Sequence, residues 1–351
     1  MDLKVQTVLG PVPPESLGRT LTHEHFSLNF DKFYVAPPKS IENVFDNTIH
    51  LENVGYVRQY PYSSKYNIEF CDRDTHNAIN KEVLTYKNAG GGTIVENTSH
   101  GLGRNVQLMK NVSEASGVNV VAGTGHYVAL VQPQSVLQKS QQDLYETILK
   151  ELTEGCIDNL NIKCGFIGEV GSAWPLHEFE IRAIRATAAV QEHLRCPVSF
   201  HPGRHPKAPF EIMRLFLEAG GKSSKTVMSH LDRTLVQDGD LLDFAKLGTY
   251  CQFDLFGTEC SHYQIDPATD MPSDAQRISK VKLLLENNHL QQILMSHDVH
   301  TKHRLIKYGG HGYSHILTNI LPKMLTRGFS QEMLDQITIK NPASWLAWKA
   351  E

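Results

Sequence analysis

The chain has 351 residues, of which 40% are hydrophobic and 21% are charged, and its formal net charge is −4. This composition is typical of a globular protein with a substantial core. The acidic balance argues against a nucleic-acid partner, which requires a basic face. A membrane span is also excluded, because no apolar run approaches the roughly 20 residues that cross a bilayer.

The cysteines and the N-terminal segment indicate a cytoplasmic protein. The six cysteines form no CxxC pair, and several lie in apolar strand-like runs, as expected of reduced core thiols. The first residues are interrupted by proline and by charged side chains, so they do not resemble a secretory signal.

Strand-like apolar runs alternate with longer segments of helical periodicity along the chain. Eight strands are predicted, at Leu21–His25, Gly92–Glu96, Val118–Gly123, Gly165–Glu169, Pro197–His201, Thr226–His230, Thr249–Asp254 and Gln292–Asp298. Helices predicted between them include Glu178–Leu194, Ala208–Ala219, Leu241–Leu247 and Ala275–Asn288. Eight right-handed βαβ units close into a parallel (β/α)₈ TIM barrel of class α/β.

Residues 1–351 are predicted to form a single barrel domain with one long insertion. The alternative is an open doubly wound sheet, but the first strand is not followed by a glycine-rich dinucleotide fingerprint. The insertion covers about residues 26–70 and is rich in tyrosine. A loop of this length is usually functional or capping. The sequence leaves open a lid, a dimer surface or a cap across the barrel bottom.

Six side chains of metal-ligand type lie at the ends of predicted strands. They are His23, His25, Glu169, His201, His230 and Asp298. His23 and His25 are two residues apart, so on a strand both imidazoles point to one face. The next three follow at intervals of about 30 residues, the length of one βα unit. Because catalytic residues of such barrels lie at the C-terminal ends of the strands, the six are predicted to share one site. Only the predicted strand Thr249–Asp254 in this half of the barrel lacks a ligand.

The types of these six residues predict the chemistry of the site. Four imidazoles and two carboxylates suit two divalent ions, with Zn²⁺ favoured and Mn²⁺, Co²⁺ or Fe²⁺ tolerated. Such ions lower the pKa of bound water to near neutrality and polarise an electrophile. Asp298 is the candidate catalytic residue, because it can also take the proton of the attacking water.

At these residues the chain resembles the phosphotriesterase family of the amidohydrolase superfamily, most closely its animal branch. The motifs that carry the resemblance run nearly end to end, from VQTVLGPV and GRTLTHEH through MSHLDRT, FDLFGTE, HTKHRL and YGGHGYSHILTN to NPASWLAW. The resemblance implies a buried metal at His23, His25 and Asp298, an exposed metal at His201 and His230, and a bridge at Glu169. Bacterial members of the family have a carboxylated lysine at the bridging position. Because Glu169 is already a carboxylate, we expect the metal site of this chain to assemble without bicarbonate.

Basic residues follow the metal-bearing strands, which favours a small substrate with an anionic tail. The candidates for binding a carboxylate or sulfonate are Arg204, Arg233 and Lys302. Further candidates for lining the pocket are Glu96, His126, Tyr127 and Tyr313.

The resemblance also implies hydrolysis of the amide bond of N-acetyltaurine or N-acetyl amino acids by a metal-bridging hydroxide. A lactonase, esterase or phosphotriesterase that uses the same metals is the first alternative. A catalytically silent, metabolite-binding barrel is the second. We expect a small-molecule substrate, with neither nucleic acid nor membrane as a partner, and a homodimer stays open.

Overall fold

A computed structural model describes residues 3–45, 48–260 and 262–349. Its central sheet has eight parallel strands, β1 (Arg19–Glu24), β2 (Gly91–Glu96), β3 (Asn119–Thr124), β4 (Phe166–Gly171), β5 (Val198–His201), β6 (Thr226–Met228), β7 (Tyr250–Phe253) and β8 (Ile293–Met295). Each strand pairs with its neighbours in chain order. β8 lies beside β1, where the Asp298 N–H donates to the His23 carbonyl at 3.0 Å. The predicted barrel is therefore confirmed, and the open sheet is excluded.

Each strand is followed by a helix of the outer layer, and short additional helices, Gln134–Leu137 and Leu231–Thr234, lie in the loops after β3 and β6. The helices of the outer layer are α1 (Arg73–Asn88), α2 (Val106–Ser116), α3 (Gln141–Thr153), α4 (Glu178–Leu194), α5 (Ala208–Glu218), α6 (Asp238–Ala245), α7 (Asp274–Glu286) and α8 (Leu321–Thr326). Local sequence explains where they begin: Ser140 and Ser273 form capping boxes at the starts of α3 and α7. The predicted bounds of α4 agree with the structure.

Two strands end two or more residues earlier than the sequence predicted. β6 ends at Met228 and β8 at Met295, whereas the predicted runs extended to His230 and Asp298. Both of these residues have positive φ, +57° and +52°, which takes the backbone out of a strand. Such conformations cost roughly 1–3 kcal/mol in non-glycine residues and cluster at functional sites.

The N-terminal end of the barrel is closed by the two ends of the chain. A hairpin of Val5–Thr7 and Gly10–Val12 lies near the short helix Asn341–Leu346, and Lys4 and Trp348 exchange two backbone hydrogen bonds of 2.9 and 3.0 Å. Trp345, fully buried on this helix, contacts the Phe166 ring edge to face, with 5.7 Å between centroids. Apolar packing therefore fills this end.

The insertion at residues 26–70, which we call the mouth insertion, lies over the opposite end. Its ends meet, because Leu28–Asn29 pairs antiparallel with Glu69–Phe70. Phe30, Pro61 and Tyr62 line a cavity at the C-terminal ends of the strands. This placement excludes the cap across the barrel bottom. The insertion's structure is described apart from residues 46 and 47.

All six cysteines are free thiols, and four of them, Cys156, Cys164, Cys196 and Cys251, are buried as expected of core residues. Cys71 is exposed, so the expectation of a core thiol is wrong for this residue. In the part of the chain that the structure describes, no helix has the length and apolarity to cross a bilayer.

Candidate metal centre

Three of the predicted ligands meet at the junction of β1 and β8. His25 Nε2 lies 3.1 Å from Asp298 Oδ1, and His23 Nε2 lies 3.9 Å from the same oxygen. All three side chains are buried. One ligand atom from each residue lies within 4.8 Å of the others, so this group could hold one metal ion.

The other three predicted ligands adjoin this group across the barrel. Glu169 Oε2 lies 3.0 Å from His201 Nδ1 and 3.5 Å from His23 Nε2. His230 Nε2 lies 2.8 Å from His201 Nδ1 and 3.6 Å from Glu169 Oε2. His23, Glu169 and His230 form a second group whose ligand atoms lie within 4.8 Å of one another. The structure therefore brings all six predicted residues together.

The side chain of Asp254 orients two of these histidines, and sequence reasoning missed it. Its Oδ1 accepts from His230 Nδ1 at 2.8 Å, and its Oδ2 lies 3.1 Å from His23 Nδ1. With the Nδ1 protons held in this way, the Nε2 lone pairs of both rings face the cluster. Asp254 directly follows β7, the strand predicted to lack a ligand, so its contribution is to orient ligands. Its position at a strand end was the available signal.

A second carboxylate orients His25 through a hydroxyl group. Thr98 Oγ1 donates to Glu96 Oε1 at 2.7 Å, so it accepts from His25 Nδ1 at 2.9 Å. The Nε2 lone pair of His25 is thereby also directed to the cluster. Carboxylates that orient imidazoles in this way are characteristic of metal sites in proteins.

The donor atoms of the cluster suit divalent metal ions. Nε2 of His23 is fully buried and has no hydrogen-bond partner among the residues described. Such an atom is costly unless a ligand engages it. Nitrogen and carboxylate donors suit Zn²⁺ and its neighbours among the transition metals.

Burial and mutual contacts shift the pKa values of these groups. Burial alone would raise the pKa of Glu169, but the imidazoles of His23 and His201 hold it well below its ordinary value. Burial likewise would lower the pKa of His23, but the carboxylates of Glu169 and Asp254 raise it well above the usual value. Burial lowers the pKa of His201 to about 3. Glu169 is therefore a carboxylate, and His201 is neutral, as metal ligands must be. The raised pKa of His23 means that this ring must release a proton before its Nε2 can bind a metal ion.

A cavity that is partly open to solvent lies above the cluster, and Tyr127, Arg204 and Arg233 line it as the sequence predicted. The Arg204 guanidinium donates to the Tyr263 hydroxyl at 2.9 Å. Arg233 is buried and donates to the Thr234 hydroxyl at 3.2 Å. Among the described residues, neither arginine has a carboxylate within 4.0 Å, so their charges are not neutralised by an ion pair.

Four other candidates for the pocket lie away from this cavity, which corrects the sequence-based prediction. Lys302 Nζ is bound to Asp72 Oδ2 at 2.5 Å, so it is not available to a substrate. The Tyr313 hydroxyl donates to the His25 carbonyl at 2.6 Å and thus supports the backbone. Glu96 acts through Thr98 as described. His126 is buried against the Phe179 ring, 5.8 Å away, and does not face the cavity.

His300 was also missed, although it lies only two residues beyond Asp298. Its Nδ1 donates to the Asp298 carbonyl at 2.8 Å and lies 3.1 Å from Asp298 Oδ1. Its Nε2 lies 3.1 Å from the hydroxyl of Tyr62, in the mouth insertion. Asp298 is therefore positioned by a side chain that the insertion itself contacts.

Fold and site together define a barrel hydrolase of the metal-dependent kind. The chain belongs to the phosphotriesterase family, whose sequence model matches residues 3–346 and whose members are metal-dependent hydrolases. It is 57% identical, over 353 residues, to the phosphotriesterase-related protein of Aedes aegypti, with 99% of each chain covered.

Two solved structures extend this comparison. A resiniferatoxin-binding protein from Rhodobacter sphaeroides has a TM-score of 0.93 and 28% identity, covering 98% of this chain and 94% of that one. The phosphotriesterase homology protein from Escherichia coli, complexed with phosphate in its active site, has a TM-score of 0.76 and 25% identity, covering 94% and 99%.

Proposed function

We propose that this protein is a two-metal amidohydrolase that cleaves small N-acyl conjugates with an anionic tail, namely N-acetyltaurine or N-acetyl amino acids. One observation carries the proposal. Arg204 and Arg233 line the same cavity as the ligand cluster, and neither has a carboxylate partner among the described residues. A guanidinium group in a cavity without a counter-ion favours an anionic ligand. Its planar arrangement of N–H donors matches the oxygens of a carboxylate or sulfonate.

We propose that the metal ions are Zn²⁺. The six converging residues would hold them. His23, His25 and Asp298 would hold one ion, His201 and His230 the other, and Glu169 both. When bound, such ions lower the pKa of water to near neutrality and polarise a carbonyl group. Because Glu169 is a carboxylate without modification, the site would assemble without bicarbonate.

The chain's own residues supply the remaining steps. Burial would raise the pKa of Asp298, but His300 and His25 hold it well below its ordinary value, so the side chain is an anion that can accept a proton. In this proposal Asp298 takes the proton of the attacking water and passes it to the leaving amine. Arg204 and Arg233 hold the tail and so fix the position of the acyl group. Tyr62 closes the cavity from the side of the insertion.

Hydrolysis of a phosphate ester is the second candidate. The Escherichia coli relative holds phosphate in its active site, and phosphate is also an oxyanion that a pair of arginines can bind. This candidate uses the same ligand cluster and differs only in the group that is attacked.

The test is a panel of substrates given to the zinc-loaded protein. It contains N-acetyltaurine, an N-acetyl amino acid and its uncharged methylamide, a lactone, a phosphate monoester and a neutral phosphotriester. We expect cleavage of the anionic amides above all others. Lactone or phosphate-ester turnover without amide cleavage would overturn the substrate assignment, and no turnover in the whole panel would favour a silent barrel.

Arginine variants sharpen this test. Arg233→Met removes one charge-assisted interaction with the tail, so KM for the anionic amide rises about tenfold or more, while KM for the methylamide is unchanged. Arg185, exposed on α4 and outside the cavity, provides the matched control Arg185→Met. Equal effects of Arg233→Met on both amides would contradict recognition of the tail by this residue.

A further inference from the structure

A second cavity, partly open to solvent, adjoins the one above the ligand cluster. We call it the side cavity. It lies between the mouth insertion and the loops that follow β7 and β8. The two cavities share five lining residues: Pro61, Tyr62, Thr258, Cys260 and His300. The rings of Tyr62 and His300 are stacked, with 6.2 Å between centroids and 18° between planes. These shared residues form the boundary between the two spaces.

The charge of the side cavity is positive. Arg304 is 8% exposed and donates to the backbone carbonyl groups of Asp298 and Phe256 at 3.1 and 2.9 Å. Arg58 is exposed at the rim. In the described part of the chain, neither arginine has a carboxylate within 4.0 Å. Of the described residues that line the cavity, Glu259 alone is acidic, and it is exposed.

Two hydroxyl groups on the wall lack the partners that buried polar groups normally have. Thr301 is 1% exposed, and its Oγ1 has no hydrogen-bond partner among the described residues. The buried Oγ1 of Thr258 likewise has no hydrogen-bond partner among the described residues. Both residues line the side cavity. Unsatisfied buried hydroxyls cost free energy, so two of them beside one cavity indicate a ligand with hydrogen-bond acceptors.

The backbone at Gly257 leaves the space open. Its φ is +83°, and a Cβ built there would lie 3.3 Å from the His311 ring and 3.7 Å from Arg304 Nη2. A larger residue would therefore be strained and would crowd the guanidinium group.

We propose that the side cavity is a binding site for a small oxyanion, held by the guanidinium groups of Arg58 and Arg304 and the hydroxyls of Thr258 and Thr301. Guanidinium groups are donors only, and a hydroxyl can donate. Sulfate, phosphate, and the sulfonate or carboxylate of a small organic molecule share the chemistry that this wall recognises. Thr258 also borders the substrate cavity, but Arg58 and Arg304 line the side cavity alone, whereas Arg204 and Arg233 line the substrate cavity alone. The proposed anion site does not depend on the proposed hydrolysis.

Diffraction from crystals soaked in sodium selenate locates the anion directly. We expect an anomalous peak within hydrogen-bond distance of Arg304 and Thr301. Peaks confined to the surface, or to the space between Arg204 and Arg233, would overturn the proposal. Because no turnover is measured, this result is independent of the hydrolysis panel.

Calorimetric titration with sodium sulfate tests the same residues in solution. The titration uses an Arg204→Ala background, so that the substrate cavity binds sulfate less well. Added there, Arg58→Ala and Thr301→Val should each weaken sulfate binding, the arginine change by about tenfold or more. Arg185→Ala is the matched control and should have no effect. Unchanged affinity in both test variants would overturn the proposal.

A parallel titration with taurine separates the two sources of the anion. Binding of taurine that Arg58→Ala weakens would assign the site to a small organic sulfonate. Binding of sulfate alone would assign it to an inorganic anion. Both outcomes support an oxyanion site, whereas binding of neither anion would overturn it.

Discussion

The two ends of the barrel are built from the same eight strands but are filled by opposite kinds of side chain. β4 illustrates the contrast, because Phe166 at its start packs against Trp345, whereas Glu169 near its end contacts four histidines. The N-terminal end is an apolar core. The C-terminal end buries imidazoles and carboxylates with almost no exposure.

This difference teaches where the free energy of folding comes from. Burying apolar rings contributes roughly 25 cal/mol for each Å² removed from water. Burying charged groups costs free energy unless they are paired and hydrogen-bonded. The positive φ values of His230 and Asp298 add strain at the same end. The apolar end therefore stabilises the fold, and the polar end carries a cost that its function explains. Substitutions at the two ends should separate stability from activity.

The largest effect on activity is expected from Asp298→Asn. The amide cannot accept a proton and is a weaker metal ligand, so kcat falls about 10²–10⁴-fold, while the melting temperature changes little. Hydrolysis assays and thermal melts measure the two quantities, and the metal content is determined for each protein. Asp270→Asn, in an exposed loop, is the control. Nearly full activity of Asp298→Asn at full metal content would remove the catalytic role.

The opposite end gives the largest effect on stability. Trp345→Ala leaves a cavity beside Phe166, so the free energy of unfolding falls by about 3–5 kcal/mol. Urea denaturation measures this change, and activity assays at low temperature show whether the folded fraction keeps its kcat. Leu325→Ala, at a side chain that is 43% exposed, is the control. A loss of kcat in the folded protein would show that the two ends are coupled and would break the comparison.

The features that the sequence predicted are those that depend on local patterns. Apolar runs alternating with amphipathic segments define the barrel, and the spacing of His23 and His25 on one strand places both rings on one face. Glu169, His201 and His230 follow at the length of one βα unit. Each of these inferences needs only the neighbouring residues.

The features that the sequence did not predict depend on contacts between distant residues. Asp254 orients His23 across the barrel, and no local pattern links the two positions. Lys302 follows a metal-bearing strand, but its long side chain turns to Asp72 instead of the cavity. The location of the mouth insertion was open for the same reason, because its own residues do not specify which end of the barrel they cover.

Asp254→Asn tests the orienting role and has a smaller expected effect. The amide cannot hold both Nδ1 protons as the carboxylate does, so the affinity for zinc falls about 10–100-fold. Competition with a chelator measures this affinity, and activity is compared at saturating zinc. Asp243→Asn, exposed on α6, is the control. An unchanged zinc affinity would mean that the histidines need no orienting carboxylate.

The last expected effect is a pH dependence of stability at the edge of the polar end, where Glu82 of α1 supports the loop after β8. Its Oε1 accepts from the Ile306 N–H at 2.5 Å, and burial raises the pKa of this side chain to about 7. In the unfolded chain the same carboxyl group has its ordinary pKa of about 4.5. The folded protein therefore binds this proton more tightly, and the contribution of Glu82 to stability falls as the pH rises from about 4.5 to 7.

Glu82→Gln keeps an acceptor for the Ile306 N–H but cannot ionise. Relative to the wild type, this variant should gain up to about 3 kcal/mol of stability between pH 5 and pH 8, with the difference levelling off above the folded pKa. Thermal melts across this range measure the difference, and Glu114→Gln on the exposed face of α2 is the control. A variant that becomes less stable than the wild type at pH 8 would show that the Glu82 carboxylate is well paired. Burying polar groups at the C-terminal end of the barrel would then cost less free energy than their burial implies.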